Sequence, residues 1–251
     1  ATSSTFIQSP LFTYNNPITL SIYAKYADAS NNEFDLYDGT NTTRKITTSE
    51  WQRFDAVGFG NQLTIVNSGD TYITDIYIWG GQAEALSYPT SYIPTNGSTV
   101  TRDADTCTGS GEAVDFNSEE GVLYAEISAL ADDNTFRVIS INSGNNTNVV
   151  KVGYRTTSNA IYYEVRSGDV SQSFQIYTTT DIKEFHKVAV LYKQNDFKLF
   201  VDGVNVLSDT SGITPVGLNN LSFEANLGAY FYGKVKAIRV YKEALSDTDL
   251  Q

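Results

Sequence analysis

The sequence predicts an all-β protein built as two antiparallel β-sandwich domains in tandem. Three observations carry that expectation. Apolar residues recur with period two along most of the chain, and no long run shows the 3.6-residue period of an amphipathic helix. Aromatic residues make up 13 % of the 251 positions, with 17 Tyr, 13 Phe and only 5 Pro. Tyr, Phe, Val, Ile and Thr suit the pleated, half-buried surface of a strand. The alternating runs are also punctuated by clusters of Asn, Asp, Gly and Ser, the residues that make hairpin turns.

The elements follow in order. Positions 18–26 read ITLSIYAKY: Ile18, Leu20, Ile22 and Ala24 form a core face, and Thr19, Ser21, Tyr23 and Lys25 point outward. In 33–37, Phe34 and Leu36 point inward and Asp35 and Tyr37 outward. Further strands are expected at 50–59, 62–66 and 72–79, separated by the turns ADASNN, DGTNTT, FGN and NSGD. In the last of them Ile76 and Ile78 face the core, which leaves Asp75, Tyr77 and Trp79 outside. Trp51 starts a strand after a turn and is expected in the core. The segment 88–106, with two Pro and a Gly, breaks the alternation and marks the junction between domains 1–104 and 105–251. Its Tyr88, Tyr92 and Ile93 are apolar enough to dock on a domain surface.

In the second domain Val150, Val152 and Tyr154 alternate with Lys151, Gly153 and Arg155. Ile161, Tyr163 and Val165 alternate with Tyr162, Glu164 and Arg166. The stretch EFHKVAVLYKQNDFKLFVDGVNV is a hairpin. Val188, Val190 and Tyr192 form one face, Phe197, Leu199 and Val201 answer on the return strand, and Asp202-Gly203 makes the next turn. A closing strand covers 235–241, followed by a short polar end at 246–250.

Bulk properties bound the function. The net charge of −12 lacks the basic footprint that nucleic acid or an anionic membrane requires, and it favours neutral over strongly acidic polysaccharides. The single cysteine, Cys107, has no internal disulfide partner and reads as a small buried residue. No stretch approaches the ~20 apolar residues of a membrane-spanning helix. The lack of methionine reads as a chain processed or excised from a longer one, with an extracellular or virion-associated home expected.

The pattern His186-Lys187-Val188-Ala189-Val190, then Leu199-Phe200-Val201-Asp202-Gly203, then Gly233 through Arg239-Val240-Tyr241 and Ala244-Leu245-Ser246 resembles the laminin-G-like, concanavalin A-like jelly-roll family. The resemblance covers roughly 106–251 and implies a jelly roll, a fold that carries binding modules, glycosidases and lyases alike. In the first domain ITLSIYAKYA, SEWQRFDAVGF and TYITDIYIWGGQAE resemble the jelly-roll carbohydrate-binding modules found beside xylanases and glucanases. The continuation WGGQAEALSYPTSYIPT is similar to a junction in phage structural and tail proteins.

Catalytic constellations are not evident. His186 is the sole histidine and reads as structural. Retaining glycosidases of the resembled fold carry Glu-x-Asp-x-x-Glu on a strand, and none occurs; Glu119-Glu120 and Asp132-Asp133 are adjacent pairs that would point to opposite faces. The expectation is therefore non-catalytic binding of a polysaccharide, a neutral β-glycan such as xylan or β-glucan. The alternative is a virion structural or host-adhesion protein, and a lesser one a glycoside hydrolase or polysaccharide lyase. Attachment to a larger enzyme or virion fits either of the first two. No cofactor is required; a structural calcium is possible at 67–70 or 132–134, where Asp and Asn cluster. The candidate ligand residues are Tyr23, Lys25, Asp35, Tyr37, Tyr77 and Trp79 on one face of the first domain. In the second domain they are Lys151, Arg155, Tyr162, Glu164 and Arg166.

Overall fold

A computed structural model describes residues 6–8, 18–29, 32–37, 41–58, 64–66, 75–101, 110–224 and 229–251. Its described residues are β-strands and turns with one short 3-10 turn, Ala113–Asp115, and no α-helix. The chain forms two compact units, residues 1–103 and 104–251.

Unit 1 contains β1 (Phe6–Gln8), β2 (Ile18–Tyr26), β3 (Glu33–Tyr37), β4 (Thr42–Ile46), β5 (Gln52–Gly58), β6 (Thr64–Val66) and β7 (Ile76–Glu84). They make two sheets, ordered β1-β6-β3-β4 and β5-β2-β7. Ile18, Leu20, Ile22, Ala24 and Ala56 of one sheet meet Phe34, Leu36 and Ile65 of the other in a buried cluster. The alternation of β2 and β3 thus puts the expected residues inside. β4, whose first residues the sequence reads as a turn, is a strand. Its residues TTRKI carry no apolar alternation, and most of them are exposed at the sheet edge.

Unit 2 contains β8 (Glu120–Ala129), β9 (Arg137–Asn142), β10 (Val149–Tyr154), β11 (Ala160–Ser167) and β12 (Val170–Thr178). Then come β13 (His186–Lys193), β14 (Asp196–Val201), β15 (Val204–Asp209), β16 (Asn220–Ser222) and β17 (Gly233–Tyr241). The sheets are β12-β11-β10-β9-β16 and β15-β14-β13-β8-β17, all pairs antiparallel. Between them lies one apolar layer that includes Ile139, Val150, Val152, Ile161, Tyr163 and Val165 from the first sheet. Leu123, Ile127, Val188, Val190, Phe197 and Leu199 face them from the second. This is the sandwich of jelly-roll type that the alternation implies.

The turns obey their local chemistry. Asp202 and Gly203 both adopt positive φ, 51° and 81°, as a two-residue hairpin turn of the primed type requires. His186 locks that turn to the start of β13. Its Nδ1 lies 2.6 Å from the Asp202 carboxylate and its Nε2 3.0 Å from the Asp181 carbonyl, while Asp202 Oδ1 accepts from the Lys187 amide at 2.8 Å. The histidine is a structural tie.

The outer face of β15-β14-β13-β8-β17 is covered by the chain end. Tyr241, Ala244, Leu245 and Leu250 pack on Val122, Ala189, Leu191 and Phe200. Ser246 Oγ donates to Asp249 at 2.6 Å, and Lys198 pairs with Asp247 at 2.8 Å. The end that reads as polar in sequence therefore also carries an apolar anchor.

Burial holds the phenols of Tyr154, Tyr162 and Tyr192 well above the ordinary tyrosine range. A raised folded-state pKa contributes stability that is complete below the unfolded value of about 10 and lost as pH rises past it. Three such groups give a slope of about 4 kcal/mol per pH unit. In an alkaline titration the exposed tyrosines should ionise gradually. A second, cooperative rise in tyrosinate absorbance should then coincide with loss of near-ultraviolet dichroism; complete ionisation with intact dichroism would contradict the packing.

Candidate functional site

Because each sandwich closes over its own apolar layer, chemistry is left to the outer faces of the sheets. Two such faces carry the side chains of interest, one in each unit.

The first is the outer face of β5-β2-β7. Tyr23 stands opposite Arg53 on β5 and Trp79 on β7, and Lys25 stands opposite Tyr77. Trp51, immediately before β5, completes the row of Lys25. Lys25 Nζ lies 5.3 Å from the Trp51 ring centroid and 5.6 Å from that of Tyr77, within cation–π range of both. In the next row the Trp79 ring packs between Tyr23 at 5.0 Å and Tyr92 at 4.8 Å. The register shifts between Ser21 and Tyr23, a bulge served by Gly80 at φ 64°. A Cβ there would sit 3.2 Å from Tyr23 and 3.4 Å from Tyr92, so the glycine lets the rings close up. The outcome is a platform on which Trp51 is 47 % exposed, Tyr77 57 % and Trp79 53 %.

The rest of that face is covered by the segment 86–93. Thr19 Oγ1 donates to the Leu86 carbonyl at 2.7 Å, and the Ile93 amide donates to Gln82 at 2.9 Å. The Thr90 amide donates to Glu84 at 2.9 Å. Arg53 donates to Ser21 Oγ at 2.8 Å and to the Thr90 carbonyl. Tyr88 is buried in the process, so the segment docks as its apolar residues suggest. Thr19 and Ser21 are consequently buried, not solvent-facing.

Three expectations for unit 1 need correction. Trp51 is not in the core; it shares the parity of Arg53 and Asp55, while Phe54 and Ala56 point to the apolar cluster. Asp35 and Tyr37 do not join Tyr23, Lys25, Tyr77 and Trp79, because β3 belongs to the opposite sheet. Asp35 is also buried, 3 % exposed, under Arg44. Arg44 donates to Asp35 through Nε at 2.8 Å and Nη2 at 3.3 Å, and to Glu33 at 3.0 Å.

The second face is the outer side of β12-β11-β10-β9-β16. Register places Lys151 opposite Glu164, Gly153 opposite Tyr162, and Val149 opposite Arg166, so the candidate residues do share one face. Glu164 sits between Lys151 Nζ at 2.7 Å and Arg166 at 3.6 Å, and Arg166 also holds Asp169 at 2.6 Å. Lys151 and Tyr162 are buried, so neither offers an open contact surface. Burial, ahead of the Glu164 charge, is what raises the Tyr162 phenol. Arg155 closes over Tyr162: its guanidinium lies 4.6 Å from Phe136, 5.4 Å from Tyr162 and 5.1 Å from Phe174. Phe174 and Ile176, unmarked in the sequence reading, are the exposed apolar residues beside it. Their strand β12 pairs Phe174 with Glu164 and Ile176 with Tyr162, so the period-two signal was there to place them on this face.

The calcium candidates divide. The cluster at 67–70 lies outside the described residues, as does Cys107. At 132–134 the carboxylates tie loops: Asp132 accepts from the Asn159 amide at 3.2 Å and from Ser158 Oγ. Asp133 accepts from Arg137 at 2.6 Å and from the Thr135 amide at 3.2 Å. Among the described residues no group of three or more His, Cys, Asp or Glu side chains is arranged to hold a metal.

Removing the Glu164 charge would leave the buried Lys151 ammonium without a counter-ion, with Asn146 Oδ1 at 3.3 Å as its remaining acceptor. Glu164→Gln should lower the stability of unit 2 by about 3–5 kcal/mol in urea unfolding. The double substitution Lys151→Met with Glu164→Leu should recover most of that loss. A single substitution without measurable cost would contradict the pairing.

No curated protein sequence matches the chain significantly. Several solved structures are similar in part. CBM40 of the Ruminococcus gnavus IT-sialidase is 18 % identical, with 57 % of this chain and 91 % of that chain covered and a TM-score of 0.45. The leech intramolecular trans-sialidase, complexed with 2,7-anhydro-Neu5Ac, is 18 % identical over 59 % of this chain and 26 % of its own, with a TM-score of 0.43. Sheep galectin-11 is 8 % identical over 55 % and 99 %, with a TM-score of 0.39. The match thus spans about a quarter of the leech enzyme. The Laminin_G_3 family profile, described as the concanavalin A-like lectin/glucanases superfamily, matches residues 110–251. The two-sheet sandwich of unit 2 and this match over more than half of the chain together place the protein in that superfamily.

Proposed function

We propose that the protein is a non-catalytic glycan-binding protein whose first unit grips a neutral β-linked polysaccharide of the xylan or β-glucan type. One observation carries the reading: Trp51, Tyr77 and Trp79 remain about half exposed on one sheet face, in adjacent register rows. Folding normally removes such rings from water, and each retains apolar area that a ligand can bury. The apolar face of a pyranose ring fits this surface, with Lys25 between the rings as a hydrogen-bond donor to hydroxyls. β5 and β7 flank β2, so their rings stand about 10 Å apart, roughly the length of two linked sugars. An extended chain laid across the strands would meet both.

The non-catalytic part rests on how the titratable groups are engaged. Glu164 is paired with two cations and His186 is tied to Asp202. A retaining glycosidase needs two carboxylates about 5–5.5 Å apart, one of them free to give a proton, whereas Glu164 and Asp169 are both held by Arg166.

Affinity electrophoresis against xylan, mixed-linkage β-glucan and mannan tests this reading. Retardation by at least one is expected, weakened roughly ten- to a hundredfold by Trp51→Ala, with no release of reducing ends. Retardation unchanged by Trp51→Ala and Trp79→Ala would remove the platform from the account. Absence of retardation by all three would point instead to a protein contact, as in a virion assembly or adhesion protein. Reducing-end release by the unaltered protein would establish an enzyme.

A further inference from the structure

Arg155, on the outer face of β12-β11-β10-β9-β16, has no counter-charge among the described residues and lies instead among aromatic rings. Glu164 neutralises Lys151 and shares Arg166 with Asp169. Arg155 forms no ion pair and no side-chain hydrogen bond among the described residues, and its Nε is buried without a partner. Instead three rings surround its guanidinium, Phe136 at 4.6 Å, Phe174 at 5.1 Å and Tyr162 at 5.4 Å. Phe136 and Phe174 each pack against Tyr162, at 5.6 Å and 6.0 Å between centroids, so the cage is itself braced. Phe174 and Ile176 leave apolar surface exposed at its rim.

Each part of this arrangement has a chemical consequence. The rings fix the guanidinium plane and strip water from its Nε edge, so its fork loses little freedom on binding. A fixed guanidinium recognises a carboxylate through two parallel hydrogen bonds, a match that neither an ammonium nor a neutral donor reproduces. The apolar rim suits a ligand whose carboxylate sits on a largely apolar ring face. We propose that Arg155 with Phe136, Phe174 and Ile176 forms a second binding site, selective for a sugar that bears a carboxylate. This rests on the reading of the protein as a glycan binder, but it uses unit 2 and none of the residues of the Trp51 platform.

The test is an NMR titration of the full chain, following the Phe174 and Ile176 resonances. The probes are methyl β-D-glucuronoside and the α-methyl glycoside of N-acetylneuraminic acid, each beside its uncharged methyl ester. The two acids represent the two sources of a sugar carboxylate, uronates and nonulosonates, and the arm that binds names the source. At least one acid should shift both residues, with its ester about ten- to a hundredfold weaker. Arg155→Lys keeps the charge but not the fork, and should weaken the acid about tenfold; Arg155→Met should abolish binding. Because the acid–ester contrast is read on the unaltered protein, it stands even if a variant misfolds. Equal shifts from acid and ester, no shift from any probe, or binding that survives Arg155→Met would overturn the inference. Neutral-glycan retardation that persists under those outcomes would leave the platform of unit 1 standing and remove this site alone.

Discussion

The structure depends on one constraint: the inner strands of a two-sheet sandwich must each give one face to a shared apolar layer. In unit 2 that layer takes Val150, Val152 and Tyr154 from β10 and Val188, Val190 and Tyr192 from β13, leaving only the intervening positions for anything else. The Tyr192 hydroxyl reaches the Asn117 carbonyl at 2.6 Å, and that of Tyr163 meets Ser173 at 2.8 Å. The polar ends of these two core tyrosines are thereby absorbed, whereas the Tyr154 hydroxyl is buried without a hydrogen-bond partner. A one-residue slip would reverse every assignment on a strand, and the paired registers prevent it.

The second consequence concerns coverage. An outer face does not stay open merely because its residues alternate outward. The segment 86–93 covers part of β5-β2-β7 through Thr19, Gln82 and Glu84. The chain end seals Val122, Leu191 and Phe200. What remains accessible is selected by these covers, and the exposed aromatic rings of unit 1 lie where the cover stops. In unit 2 an aromatic cage around Arg155 closes over Tyr162 while leaving Phe174 and Ile176 at the rim. The two faces differ in kind, one offering uncharged ring surfaces around a lysine and the other a guanidinium held in rings.

Which parts of this were legible in the sequence follows from what each strand encodes locally. Inward parity was readable wherever apolar residues alternate, as in Ile18, Leu20, Ile22 and Ala24, and so was the shared face of Lys151, Tyr162, Glu164 and Arg166. Membership of a sheet was not: the alternation of β3 places Asp35 outward but says nothing of which sheet β3 joins. β4 stayed hidden because an edge strand of Thr, Arg and Lys needs no apolar face. Trp51 shows a readable signal outweighed by a residue's hydrophobicity. Its parity with Arg53 and Asp55 points outward, yet a tryptophan at a strand start suggests burial. The burial of Thr19, Ser21 and Tyr162 depends on covering residues remote in sequence from Thr19 or supplied by other strands, which no local pattern contains.

The chain has only two tryptophans, and both stand on the outer face of β5-β2-β7. Intrinsic indole fluorescence is therefore a label confined to the platform on which the central claim rests. Titration of the unaltered protein with xylo- and gluco-oligosaccharides of increasing length should give a saturable change in emission. Affinity should rise sharply once the chain is long enough to span from β5 to β7. Oligosaccharide binding, detected by calorimetry in the same samples, with no change in indole emission at any length would place the ligand elsewhere and contradict the account.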